Sequence, residues 1–118
     1  MKTLVIGAST NPERYSNKAI HKLVAYGHET FAYGLKSGVV SGVVISTENE
    51  PIEGLDTVTL YLNPKNQEEH YNYITALKPK RVLFNPGTEN SSFEAILEQH
   101  GIQTECACTL VLLDTHQY

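Results

Sequence analysis

The chain has 118 residues, 41% hydrophobic and 19% charged, a balance that supports one compact core and excludes wholesale disorder. A formal charge of −4 argues against a general nucleic-acid binder, so any bound anion must be held by a local cluster of donors. No apolar run approaches the ~20 residues of a membrane span and no signal-type start is present, so a cytoplasmic protein with no membrane partner is expected.

The elements alternate along the chain. "TLVIG" reads as a first strand, followed by a helix from about Ser16 to Tyr26 with Ile20, Leu23 and Val24 as its apolar stripe. Gly27 is placed to end that helix in the left-handed conformation. "ETFAY" reads as a second strand, and the glycine-broken "GVVSGVVIS" as a short third around Val43 to Ile45. "LDTVTLYL" is a fourth. Asn63-Pro64 then has the order of an N-cap and first helical residue, and Tyr71, Ile74 and Leu77 supply that helix's inner face.

Lys78-Pro79 ends the helix and "RVLFN" follows as a fifth strand. "SSFE" predicts a capping box in which Ser91 caps and Glu94 reaches back, opening a helix that Gly101 closes. "IQTECACTLVLL" supplies a last strand and an apolar tail. Strands alternating with single helices predict a Rossmann-like, doubly wound α/β domain over residues 1–118, with a mostly parallel sheet of five to six strands and helices on both faces.

In such a sheet the loops that follow the strands gather at the carboxyl edge, where ligands bind. Those loops are "GASTNPERYSN", "GLKSG", "NPKNQ" and "NPGTENSS", rich in Gly, Pro, Asn and Ser. The first is longer than a strand-to-helix turn needs. Within it Gly7 permits a sharp turn, Ser9 and Thr10 offer donors, and the next helix aims its unpaired amides into the crevice. That suits a pyrophosphate, and Arg14 adds a candidate charge-assisted contact.

The GxGxxG fingerprint is missing, since only Gly7 is present. After the second strand, where NAD-binding proteins place a carboxylate on the ribose hydroxyls, this chain has Lys36-Ser37. A lysine there favours a phosphorylated ribose, as in NADP or coenzyme A.

"VIGASTNPERYSNKAIHKLVAYGHETFAYGLKSG", then "LDTVTLYLNP", "VLFNPGTEN" and "CTLVLL", resembles the small stand-alone CoA-binding domain family. These are relatives of the CoA-binding domain in the succinyl-CoA synthetase α-subunit and in NDP-forming acyl-CoA synthetases. The resemblance runs from Lys2 to about Leu113. It implies that Gly7, Ala8, Ser9, Arg14 and Ser16 line the nucleotide-phosphate loop, and that Lys36 sits beside the ribose phosphate and adenine. It further implies that Leu62 and Asn63 flank the pantetheine arm, with Asn85, Pro86 and Gly87 near its far end. The chain departs from the family at Gly34-Leu35, where members often carry Asn-Pro, so a different bend is expected there.

The synthetases use a phosphorylated histidine on a second domain, which has no counterpart in this chain. The five histidines form no metal-binding spacing, and His21 and His100 fit packing or capping roles. Cys106 and Cys108 are too close to staple a fold and lack the second cluster of a zinc site. They are expected as buried or half-buried thiols on one face of one strand.

The expected function is non-catalytic binding of coenzyme A or an acyl-CoA, with no catalytic residue and no metal. The alternatives are an NADP-dependent oxidoreductase fragment and an interaction module of the same fold that has lost its ligand. A protein partner or homo-oligomer stays open.

Overall fold

A computed structural model describes residues 1–118. Seven strands form one sheet: β1 (Thr3–Ile6), β2 (Thr30–Tyr33), β3 (Gly38–Val40), β4 (Val43–Ser46), β5 (Thr57–Leu60), β6 (Arg81–Phe84) and β7 (Gln103–Cys106). Their spatial order is β3-β4-β2-β1-β5-β6-β7, parallel throughout except for β3 against β4.

One strand more appears than the sequence reading allows, and the turn explains it. Ser41 (φ 52°) and Gly42 (φ 80°) both take positive φ between Val40 and Val43. Two such residues form the tight turn whose twist matches a hairpin, so "GVVSGVV" folds back on itself.

The helices are α1 (Tyr15–Ala25), α2 (Pro64–Gln67), α3 (Tyr71–Leu77), α4 (Ser91–Gln99) and α5 (Thr109–Asp114). Alternation along the strands splits the apolar residues between two faces. Leu4, Ile6, Val58, Leu60, Val82 and Phe84 pack with Ile74 of α3 and with Phe93 and Leu97 of α4. Val5, Ala32 and Ile45 pack on the other face with Ile20 and Leu23 of α1 and Leu113 of α5. Each such side chain taken fully from water contributes ~1.5–3 kcal/mol.

Helix ends follow local chemistry. Gly27 (φ 83°) ends α1, with its amide bonded to Val24 O and the His28 amide to Leu23 O. Gly101 (φ 74°) ends α4 in the same way, through Glu98 O and Leu97 O. Both are paired C-terminal bonds that satisfy carbonyls the helix leaves open. Asn63 caps α2 by accepting from Asn66 N at 2.9 Å, with Pro64 in the first turn.

Three local expectations are corrected. The cap of α4 is Asn90, one residue before Ser91; its Oδ1 accepts from Phe93 N at 3.1 Å. Its Nδ2 meanwhile donates to Gln67 Oε1 and Tyr71 Oη, which pins it in that place.

The helix after Asn63 is not continuous either. A 3₁₀ turn over Glu68–His70 separates α2 from α3. Side chains three apart eclipse in such a turn, so Gln67 and His70 both face inward and both are buried.

Finally, Cys106 ends β7 while Cys108 heads α5, so the thiols do not share a strand; Cys106 is exposed and Cys108 half-buried. The apolar tail is helical because Thr109 N donates to Asn85 Oδ1 and Leu113 buries against α1's side of the sheet.

Candidate ligand-binding site

β1 has β2 on one side and β5 on the other, and the helices that follow β1 and β5 cover opposite faces. Loops leaving the two carboxyl ends therefore diverge, and a crevice opens between them. It has a volume of about 660 Å³, within the range of small-molecule sites.

The opening loop is built by its own hydrogen bonds. Gly7 turns the chain at φ 93°, and a Cβ there would lie 3.0 Å from the Tyr61 backbone. The amides of Gly7 and Ala8 both donate to Tyr33 O, at 3.0 and 2.9 Å. Ser9 Oγ accepts from Asn11 N, Asn11 Oδ1 from Glu13 N, and Asn11 O from Arg14 N. Asn17 Nδ2 ties the loop to α1 through Ser9 O at 2.9 Å.

The Ser9 amide and hydroxyl proton remain open, and so do the donors at the start of α1. Its N-cap residue, Arg14, supplies no side-chain cap, and the Tyr15, Ser16 and Asn17 amides have no partner in the chain. Tyr15 and Ser16 line the crevice. An uncapped 11-residue helix places partial positive charge there. Arg14 and Lys36 stand exposed on the crevice wall, and neither has a carboxylate within ion-pair distance.

Loop-to-loop contact holds Lys36 against this wall. A Cβ on Gly34 would lie 2.4 Å from Ala8 O, and one on Gly38 2.4 Å from Thr10 Cγ2. The segment after β2 is thus pressed on the opening loop at both ends. At the departure from the family pattern, glycine permits the approach and leaves Leu35 86% exposed beside the crevice.

The model of the CoA binding domain matches residues 1–114. The chain belongs to the CoA binding domain family. No curated protein matches the chain in sequence. The crystal structure of an uncharacterized protein, 50% identical, superposes with a TM-score of 0.96 over 99% of this chain and 97% of that one. Cell-free ID.343 from Thermus thermophilus shares 20% identity and a TM-score of 0.86, over 99% of this chain and 90% of that one. The dinucleotide forming acetyl-coenzyme A synthetase 1 of Ca. Korarchaeum cryptofilum shares 13% identity and a TM-score of 0.73. There the match covers 90% of this chain and 25% of that one, and like the Thermus likeness it shows the fold alone.

In this chain Gly7, Ala8, Ser9, Arg14, Ser16, Lys36, Leu62, Asn63, Pro86 and Gly87 come together on the crevice wall. Asn85 does not. It is 2% exposed and turned inward, with Nδ2 donating to Thr59 Oγ1 at 2.6 Å and Leu60 O at 2.9 Å. The Gly87 amide is engaged by Glu89 Oε1 at 2.8 Å. Gln67, fully buried, bridges the two neighbouring loops by donating to Leu62 O and Thr88 O.

The crevice also has residues that the sequence reading passed over, chiefly Tyr33, Leu35, Tyr61, Glu69 and His70. Asn63, Asn66 and His70 recur at i, i+3 and i+7, a polar stripe that was the available signal. His70 packs edge-on against Tyr33 with ring centroids 4.9 Å apart, and its Nε2 lies 3.4 Å from Glu69 Oε1. Burial holds its imidazole below the ordinary pKa, against the smaller opposing effect of Glu69. No group of three His, Cys, Asp or Glu side chains is arranged to hold a metal, and no helix is long and apolar enough to cross a membrane.

Proposed function

We propose that the crevice binds coenzyme A or an acyl-CoA and holds it without transforming it. The observation that carries this reading is the uncapped start of α1 opening, with two unpaired cations, into the crevice between β1 and β5. A pyrophosphate against the Tyr15 and Ser16 amides satisfies donors that the chain leaves open, and Arg14 adds a forked contact. Lys36 then meets the ribose 3′-phosphate. The pantetheine arm runs the other way, past Leu62 toward Pro86 and Gly87.

Holding without chemistry fits what faces that far end. Thr88 Oγ1 is already donating to Asn85 O, and the Gly87 amide is bound to Glu89. Thr88 thus has its proton on a carbonyl, which is no general base, and the Gly87 amide is not free to donate to a developing oxyanion.

A thermal-shift panel of coenzyme A, acetyl-CoA, dephospho-CoA, NADP, NAD and ATP tests the reading. A ligand at a hundred times its Kd stabilises the native state by ~2.7 kcal/mol, so coenzyme A and acetyl-CoA raise Tm by several degrees and NAD does not. A shift with NADP alone, or with none of the six, overturns coenzyme A as the ligand. Steady turnover of acetyl-CoA by the purified chain, abolished by a crevice substitution, overturns holding without chemistry.

A further inference from the structure

His70 is a buried titratable group on the crevice wall. Its side chain is 5% exposed and packs edge-on against Tyr33, with ring centroids 4.9 Å apart. Nε2 lies 3.4 Å from Glu69 Oε1, while Nδ1 is buried and has no partner in the chain. A neutral ring with its proton on Nε2 suits both facts. Protonation puts a second donor on Nδ1, where nothing in the chain accepts it.

The chain alone therefore favours the neutral imidazole, and burial works in the same direction. Few charges oppose this. Glu69 stands on the same 3₁₀ turn, and the group that faces the ring from β2 is the Tyr33 phenol. The other charged residues of the crevice are Arg14, before α1, and Lys36, after β2.

A ligand with a pyrophosphate and a ribose phosphate reverses the balance. It brings at least three negative charges against the two cations, Arg14 and Lys36. Within a crevice that excess acts on the ring through space, with no contact needed, and it favours the charged form. Glu69 Oε1, already within ion-pair distance of Nε2, becomes a partner for the charged ring.

We infer that His70 gains a proton when the crevice takes up its anionic ligand, so that mild acid strengthens binding. This rests on the coenzyme A reading of the crevice and adds how that site responds to pH. Linkage makes the two effects one: where binding takes up a proton, affinity rises as pH falls.

Calorimetry with coenzyme A near pH 6, in two buffers of different ionisation enthalpy, counts the protons. The wild-type chain takes up about half a proton per ligand more than His70→Gln, in which only the ligand's own phosphate titrates. Dephospho-CoA, with one phosphate fewer, drives a smaller uptake. Ring-proton NMR of the wild type serves if His70→Gln does not fold. The histidine whose ring contacts Tyr33 then titrates about one pH unit higher with coenzyme A bound than without. Equal uptake in the two proteins, or a midpoint that coenzyme A leaves in place, overturns the coupling while coenzyme A still binds. Failure of coenzyme A to bind at any pH overturns the reading of the whole crevice, and the coupling with it.

Discussion

Gly34 faces the carbonyl oxygen of Ala8 so closely that a methyl group on it would lie 2.4 Å from that oxygen. The backbone of the β1 loop is the obstacle, and Tyr33 O already holds its Gly7 and Ala8 amides. Gly34→Ala must therefore displace one loop from the other. We expect a loss of ~1–3 kcal/mol in stability, as for overpacking, together with weaker coenzyme A binding. Urea unfolding and calorimetry on the same protein check both; an unchanged affinity would separate Lys36 from the phosphate loop.

Ser9 stands at the turn of the opening loop, half exposed, on the crevice wall. Ser9→Asp keeps an oxygen that can accept from Asn11 N but adds a negative charge opposite the ligand's own. Binding of coenzyme A falls by at least ~tenfold, about 1.4 kcal/mol, while the fold survives. Unchanged affinity in the folded variant removes this loop from the site.

Lys36 is exposed and lacks a carboxylate partner within the chain. A partly exposed charge-assisted contact with the 3′-phosphate is worth ~1–2 kcal/mol, so coenzyme A binds roughly five- to thirtyfold more tightly than dephospho-CoA at low salt. Lys36→Ala erases most of that preference, and raising the salt shrinks it. A double-mutant cycle over lysine and ligand phosphate measures the coupling, and a value near zero would re-aim the end of β2.

Asn85→Ala acts differently. It removes two donated bonds and the acceptor at 2.8 Å from Thr109 N, leaving Leu60 O and the start of α5 unsatisfied in the interior. The cost is ~2–4 kcal/mol of folding free energy, seen as a lower urea midpoint at constant slope. Coenzyme A affinity of the folded fraction falls by less than with Ser9→Asp. The reverse ranking would return Asn85 to the ligand.

Stability has an edge on each side of neutrality. The His70 imidazole is held below its ordinary 6.5, so as pH falls through 6.5 the unfolded chain takes up a proton before the folded one. Stability is lost on acidification, at a slope approaching ~1.4 kcal/mol per pH unit, and His70→Phe removes that share. Burial pushes the Tyr61 phenol up to about 12, with the nearby Thr109 and Thr59 hydroxyls opposing it. Above pH 10 the unfolded tyrosine ionises first and stability falls again. The Tyr61 hydroxyl is buried near the Thr59 and Thr109 hydroxyls, but those two bond each other at 2.8 Å and leave it without a well-formed hydrogen bond, so Tyr61→Phe is neutral or stabilising by ~1 kcal/mol and softens the alkaline edge. Denaturation midpoints across pH, compared between variants, check both signs.

What the sequence by itself determined is what lies within a few residues along the chain. Apolar strands alternating with amphipathic helices dictate a parallel sheet covered on both faces. Gly27 and Gly101 end their helices and Asn63-Pro64 begins one, because each of those bonds closes over three to five residues. Ser41-Gly42 is equally local, yet the sequence reading took that stretch as one short strand; the hairpin shows only in the positive φ of both residues.

Only the tertiary structure decided where partners come from far away. Asn85 turns inward because Thr59 and Thr109, 26 and 24 residues off, bring their polar groups to it. Asn90 displaces Ser91 as the cap because Gln67 and Tyr71 take its amide. His70 reaches the crevice because a 3₁₀ turn rotates it inward against Tyr33, on a strand the sequence places 37 residues earlier. A side chain's periodicity states which face it takes; which polar group satisfies it depends on neighbours that exist only once the sheet has assembled.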